Sequence, residues 1–429
     1  MAANLTNAYN RMAGVLAFKL AQNLPVLINT EQQVSKEVFQ SGRSANGLTM
    51  NYVLPDYGQV NEGPAIQPGS MAYDAGVVPI TLRQFNIPFS AGSYSNPPVA
   101  TDVGGTVMTR NQLLDFDKQV KFPLGANLAS KLQKGTIEAG FKGCGTVVVL
   151  DSTRQAAGDT MWDAMSEAAS AIRNARSDDE VFGAMSPRMQ ARAARGAANL
   201  FHPGERISKL WTKCELGEFA TAKWFETADV EGFTVGSAAG SNMAGLSAVL
   251  KTGTNDTLTL SAAPGVDIKA GTPFQIGTIS GGVFTNGIFE VDPLGNDTSV
   301  PFTFIVQEDV AAADTEIKVQ KLYDTGALKN VTRLPDENTA EDIGAVLKDG
   351  GVYARAIVWA KPGLATAWGQ MDVLEGAKNF TFGPKAGLLF YGCSFGDIML
   401  RRNIWRLDAL KGECVTMSNW VSTIFYELA

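Results

Sequence analysis

A single histidine, His202, occurs among the 429 residues, beside Pro203 at the exit of a helical pattern. Imidazole chemistry needs an orienting carboxylate or further metal ligands close by. Neither a second His nor a local acidic cluster accompanies His202, so it reads as a loop residue. Asp178, Asp179 and Glu180 could form a carboxylate pair, but their place ahead of a segment read as helical suits compensation of a helix dipole better than catalysis or metal binding. Cys144, Cys214, Cys393 and Cys414 lack CxxC spacing and stand in apolar contexts, which predicts buried free thiols rather than disulfides or a metal site. The Gly143-Cys144-Gly145 turn precedes a strand, the reverse of the order that cradles phosphate on a helix N-terminus. Trp359 and Trp368 flank Pro362-Gly363 and read as core and turn packing rather than a sugar platform. No GxSxG, GxxxxGK[ST] or strand-to-helix GxGxxG occurs. The expectation is a non-enzyme with no catalytic residue, no cofactor and no metal.

The elements that carry these residues suit a structural role. The net charge of −7 and pI near 5 argue against tight nucleic-acid binding, which needs clustered Lys and Arg, but not against enclosing nucleic acid. The composition, with 45% hydrophobic and 18% charged residues, is that of a globular protein, and the length predicts two or three domains. No cleavable leader and no membrane-spanning run is expected, and the chain reads as intracellular at synthesis.

Leu5, Tyr9, Met12, Leu16 and Leu20 recur at helical spacing on an amphipathic arm that Pro25 should end. The stripe packs either on its own domain or on a neighbouring subunit. Between Ser44 and Thr109 the only basic residue is Arg83, and two apolar, partly alternating runs, Leu48–Leu54 and Val77–Phe89, read as a long hairpin with a Gly/Pro-rich tip. So long a segment with so little core-forming sequence needs burial against a partner. Tyr52, Tyr57, Glu62 and Arg83 are its candidate subunit contacts, alongside Leu5, Tyr9 and Met12 of the arm.

Thr109 and Gln112 have capping-box spacing and should open a long helix through Leu113, Phe116, Val120, Leu124, Leu128 and Leu132. Pro123 should kink it, and Gly140 with Gly143 should close it before a strand at Thr146–Leu150. Thr160–Arg176 reads as a second helix, and Ser186-Pro187 opens a third, stopped by Gly196. Arg188, Arg192 and Arg195 share one face of that third helix, either as a solvated cationic face or as a contact for acidic partners or packaged nucleic acid.

From Asp229 to Arg333 the chain holds none of its Trp or Cys residues. Six short strands are predicted there, at Thr257–Ser261, Phe274–Ile279, Val283–Thr285, Ile288–Val291, Pro301–Val306 and Glu316–Leu322, with Asn286-Gly287 as a hairpin turn. They suggest a small barrel or sandwich inserted into a larger host. After Pro335 a short helix, a strand at Val352–Ala360 and a β-rich tail from Phe380 to Leu428 are expected.

This order of parts resembles the Hong Kong 97-type major capsid protein fold of tailed bacteriophages, and more narrowly the podovirus coat proteins that carry a β-barrel insertion domain. Ala126–Val149 (ANLASKLQKGTIEAGFKGCGTVVV) is similar to that family's spine helix and following strand. Thr257–Ile276 (TLTLSAAPGVDIKAGTPFQI) resembles the opening hairpin of its insertion domain, and Gly387–Arg402 (GLLFYGCSFGDIMLRR) a strand and Gly-Asp turn near its C-terminus. The resemblance implies an α+β fold with an N-arm (1–40), an extended E-loop (41–107) and a peripheral domain with spine helix (108–146 and 375–429). It further implies an axial domain (147–228 and 334–374) and an inserted all-β barrel (229–333). The implied job is to assemble, as hexamers and pentamers, into an icosahedral head. Scaffolding protein and a portal are the implied partners, and the shell encloses double-stranded DNA without sequence-specific binding. It implies a virion component assembled in the host bacterial cytoplasm, with no membrane partner. An enzyme or ligand-binding protein with a carbohydrate-binding-like insert, and a tail or decoration protein, are the competing readings.

Overall fold

The computed structural model describes residues 24–39, 49–53, 77–90, 122–175, 177, 179–200, 217–236, 246–254, 256–280, 283–285, 287–292, 296–320, 330–371, 378–382, 389–397 and 402–428. In chain order the first elements are α1 (Pro25–Ile28), β1 (Glu31–Phe39), β2 (Thr49–Val53), β3 (Val77–Thr81), β4 (Arg83–Ser90), α2 (Phe122–Gly143) and β5 (Thr146–Leu150). Then follow α3 (Ser152–Ala157), α4 (Met161–Asn174), β6 (Val181–Met185), α5 (Pro187–Leu200), β7 (Gly217–Phe219), β8 (Ala222–Glu226) and β9 (Phe233–Thr234). A run of short strands comes next: β10 (Ser247–Leu250), β11 (Thr257–Leu260), β12 (Pro273–Ser280), β13 (Val283–Thr285), β14 (Phe289–Val291), β15 (Asp297–Pro301), β16 (Phe304–Ile305), β17 (Glu316–Lys318) and β18 (Glu341–Ala345). The chain closes with β19 (Val352–Ala360), β20 (Leu364–Met371), β21 (Lys378–Phe382), β22 (Phe390–Asp397), β23 (Arg402–Val415) and β24 (Val421–Glu427). The content is mixed α+β, rich in strands.

The chain divides into two compact units. The first comprises Met1–Asn51, Pro79–Thr136 and Ala365–Glu413, and the second Tyr52–Val78, Ile137–Leu364 and Cys414–Ala429. In the first, the strands run in the order β1-β20-β23-β22-β21, with β4 also on β23. The stripe Leu128, Ala129 and Leu132 of α2 is buried with Leu24, Leu27, Trp368, Phe390 and Ala409. Each such leucine contributes about 1.5–3 kcal/mol through removal from water. The Val26 N–H donates to Gln133 Oε1 at 3.2 Å, which ties α1 to the same helix. The Thr109/Gln112 capping box and the stretch of the expected helix before Phe122 lie outside the described residues.

In the second unit the sheet runs β5-β24-β19-β6-β8-β7, with β9 on β19. The C-terminal β24 lies parallel to β5, Thr423 opposite Val147, so the strand that follows α2 is paired by the end of the chain. From Tyr353 onward every residue of β19 is buried, as expected of a strand covered on both faces. Helix α4 turns Met161, Trp162, Ala164, Met165, Ala168, Ala169, Ala171 and Ile172 inward. At its start the Asp163 carboxylate accepts the Thr160 N–H at 2.7 Å, the reciprocal arm of a capping box.

Several expectations are corrected. Helix α2 closes at Gly143 as expected, with Gly140 inside it; a Cβ at Gly140 would stand 2.2 Å from Ile357 Cδ1, so this glycine makes room for β19. Gly196 does not stop α5, which runs on to Leu200. The segment after Asp178-Asp179-Glu180 is the strand β6, not a helix, so there is no dipole for these acids to offset. The short helix expected after Pro335 is the strand β18, and β18 pairs with β10 and β12, carrying the sheet of the insert past Arg333 to Ala345. That sheet runs β13-β12-β18-β10-β11-β17, with β16 on β12 and with β14-β15 as a separate pair. Ser280 pairs with Val283 between β12 and β13, and the expected turn at Asn286-Gly287 falls on Asn286, outside the described residues. The expected strand Pro301–Val306 is split, Pro301 ending β15 and Phe304–Ile305 forming β16. The core of the insert is built on Phe274, Phe302 and Phe304, with Phe274 and Phe304 stacked at 5.7 Å.

Candidate functional site

The turn after α2 is gripped by the insert. Lys142 and Gln307 exchange bonds: Gln307 Nε2 donates to the Lys142 carbonyl at 2.6 Å, and Lys142 Nζ donates to the Gln307 carbonyl at 3.0 Å. Gln320 Nε2 donates to the Cys144 carbonyl at 3.2 Å and to the Thr303 carbonyl at 2.6 Å. The Thr303 N–H donates to the Gly145 carbonyl at 2.7 Å. Thr146 Oγ1 donates to Glu290 Oε1 at 2.6 Å, and Asn419 Nδ2 donates to the Val291 carbonyl at 2.6 Å. A turn leaves backbone carbonyls that need partners when buried, and here the side chains of the insert supply them. The Gly-Cys-Gly turn is thus a docking point for the insert, not a phosphate cradle.

Two ionisable groups at this joint are strongly shifted. Burial pushes the Cys144 thiol up to about 12, against a donated bond from Thr423 Oγ1 at 3.1 Å, so the thiol is inert at neutral pH. Burial pushes the Glu290 carboxyl up to about 8, with the Thr146 hydroxyl opposing. Nearby, Arg355 on β19 is buried, pairs with Glu138 at 3.0 Å and lies 4.0 Å from the centre of the Phe141 ring. Burial lowers its affinity for the proton and Glu138 raises it.

The first unit carries its own buried charge. Lys411 on β23 is fully buried, and its Nζ donates to the Leu132 carbonyl at 2.7 Å and to Thr136 Oγ1 at 2.6 Å, with Glu413 at 3.0 Å. Burial lowers the lysine pKa, and Glu413 opposes that shift. Sequence reasoning missed Glu290, Arg355 and Lys411 as buried ionisable groups. An isolated Lys in a strand that reads Leu-Lys-Gly-Glu carries no local sign that its partner is a helix carbonyl far away in the chain.

The residues chosen from sequence are not gathered at one place. Leu5, Tyr9, Met12, Tyr57, Glu62, His202, Asp178 and Cys214 lie outside the described residues. Tyr52 is buried on β2, and its neighbour Val53 is the exposed apolar side chain there. Arg83 is exposed on β4, opposite Lys411 in register. Arg188 and Arg192 are exposed on α5, and Arg195 lies on the same helix. Glu180 pairs with Lys223 at 2.6 Å on the surface. Trp359 and Trp368 are fully buried, in core positions, and Cys144, Cys393 and Cys414 are free thiols. Among the described residues no cluster of three or more His, Cys, Asp or Glu is placed to hold a metal ion, and no helix is long and apolar enough to cross a membrane.

No protein-family model matches the sequence, and no curated protein matches it. Among solved structures, the capsid of Ralstonia phage GP4 is similar over 94% of this chain and 88% of that chain, at 11% identity and a TM-score of 0.39. The capsid structure of the cyanophage P-SCSP1u is similar over 94% of this chain and 87% of that chain, at 9% identity and a TM-score of 0.38. The virus-like particle from Pyrococcus furiosus is similar over 97% and 98% of the two chains, at 9% identity and a TM-score of 0.38.

Proposed function

We propose that this chain is a major capsid protein, a non-enzymatic subunit that assembles with its own copies into the icosahedral shell of a tailed bacteriophage. The observation that carries the reading is the order and pairing of elements around α2. A separate two-stranded ribbon, β2-β3, precedes the helix, α2 feeds directly into β5, and the C-terminal β24 returns to lie parallel beside β5. These pairings support reading the ribbon as an extended loop, α2 as a spine helix and the β5-β24-β19 sheet as an axial sheet.

A two-stranded ribbon is marginal in water by itself, so it needs a surface to cover, and in a closed symmetric assembly a neighbouring copy provides one. Val53, half exposed at 51%, is an apolar side chain available for such a contact. On this reading the segments 1–40 and 41–107 are an N-arm and an E-loop, and residues 108–146 with 375–413 form a peripheral domain. Residues 147–228 with β19 and the C-terminal β24 form an axial domain, and the β insert is an insertion domain whose sheet extends to Ala345. Hexamers and pentamers of the chain enclose double-stranded DNA, with scaffolding protein and a portal as assembly partners. Arg188, Arg192 and Arg195 on α5 would supply a modest contact with scaffold or packaged DNA, while the acidic total of −7 keeps the shell from adhering to its contents. Co-expression of the chain with a candidate scaffold, followed by electron microscopy, tests this. Closed shells of uniform size are expected, and a product that stays monomeric at high concentration would sink the reading.

A further inference from the structure

Glu290 is a fully buried carboxyl on β14 that a purely structural joint does not need. One oxygen accepts from Thr146 at 2.6 Å, and the other has no hydrogen-bond partner. Gly145 makes the space it occupies: a Cβ there would stand 2.8 Å from Glu290 Oε1, 3.0 Å from the Phe302 ring and 3.1 Å from the Ser418 backbone. Among the described residues, no cation on the surrounding elements is engaged with it. Lys142, before the turn, bonds the Gln307 carbonyl at 3.0 Å, and Arg355 of β19 pairs with Glu138 at 3.0 Å. Arg333, beyond the Glu290–Val331 bridge, pairs with Glu341 at 2.6 Å. Cys144 on the turn is a protonated thiol, and Asp292, just after β14, accepts from the Asn296 N–H at 2.8 Å. Phe302-Thr303 and Ser418-Asn419-Trp420 bring no titratable group.

We propose that Glu290 is a proton-controlled latch: the insert stays docked on the turn Cys144–Thr146 while this carboxyl is protonated, and the joint opens to water when it ionises. A carboxylate buried without a cation is strongly disfavoured, so the ionised form is stable only where water reaches it. Reaching it breaks the bonds that share the joint, from the Thr303 N–H to the Gly145 carbonyl and from Gln320 to the Cys144 carbonyl. The docked carboxyl titrates near 8, against an ordinary value of 4.5. Between those two values the docked joint holds a proton that the open joint has released, so raising the pH favours opening about tenfold per unit, and above the upper value the dependence ends.

Amide hydrogen exchange on the full, unassembled chain, corrected for intrinsic rates, reads this directly at Thr303. From about pH 5.5 to pH 7.5, protection of Thr303 should fall roughly 100-fold in the native chain and stay level in Glu290→Gln, while amides of β19 stay level in both. Equal slopes at Thr303 in the two proteins, or no slope in the native chain, would overturn the latch. Should Glu290→Gln fail to fold, Thr146→Val is the second arm. It removes the donor that favours the ionised carboxyl, so the pH at which the fall levels off should move up; an unmoved break would equally overturn the proposal.

Discussion

Lys411 and Glu290 are both fully buried, yet they are housed in opposite ways. Lys411 donates to a helix carbonyl at 2.7 Å and a hydroxyl at 2.6 Å, and it pairs with the Glu413 carboxylate at 3.0 Å. Glu290 has one bond and an idle oxygen. The first is a paired charge that holds a strand on a helix. The second is an open account in which the neutral form is required. Burial of a charge is stabilising to keep when its partners are present and costly when they are absent, so removing the two groups should have opposite consequences.

The largest effect should come from Lys411→Ala. It leaves the Glu413 carboxylate without its cation and the Leu132 carbonyl with the Thr136 hydroxyl as its remaining side-chain donor, and a loss of about 3–5 kcal/mol in denaturant-derived stability is expected. A change under about 1 kcal/mol would remove the contrast. Glu290→Gln should act the other way, raising stability by about 1–3 kcal/mol at mildly alkaline pH. The sign follows from a folded-state value of about 8 lying above the ordinary 4.5. The native contribution is fully present below the lower value and is lost as pH rises through the upper one. Native and Glu290→Gln stability curves should therefore diverge with pH, and parallel curves would count against an unpaired carboxyl.

Between these lies Gly140→Ala, whose Cβ would stand 2.2 Å from Ile357 Cδ1. Overpacking there should cost about 1–3 kcal/mol, with partial recovery in the double variant that adds Ile357→Val. No recovery would mean that the strain is not at that contact. The smallest effect is expected at Asp163→Ala in the capping box of α4, about 1 kcal/mol by thermal unfolding. The bond from the Thr160 N–H holds the Asp163 carboxyl below its ordinary range, so this contribution is present above the usual carboxylate value and vanishes as pH falls through the depressed one.

Much of this framework was legible in the residues. The strand Thr146–Leu150 is found at its expected limits, Met161–Asn174 falls within the expected Thr160–Arg176, and Val352–Ala360 is found as read. Periodicity finds such elements because each buries one face or both. The misses share one physical origin. Gly140 and Gly196 carry the local signature of helix ends, but α2 and α5 pass through them, and at Gly140 the reason is a neighbour that a Cβ would strike. The strand β18, with the polar sequence EDIGA, has only Ile343 fully buried, so alternation is too weak to announce it; pairing on both sides defines it. The joint was illegible for the same reason. Nothing near Glu290 in sequence indicates Thr146, which is 144 residues away.

The central proposal is that the chain builds a shell through its β2-β3 ribbon while its insert stays clamped to the turn after α2. A cryo-electron-microscopy map of particles formed by the intact chain tests it most directly. The account predicts closed icosahedral shells in which the β2-β3 ribbon lies across a neighbouring subunit and the Thr303 N–H still meets the Gly145 carbonyl in each copy. A map in which the ribbon folds back on its own subunit, or the absence of any closed shell, would contradict it.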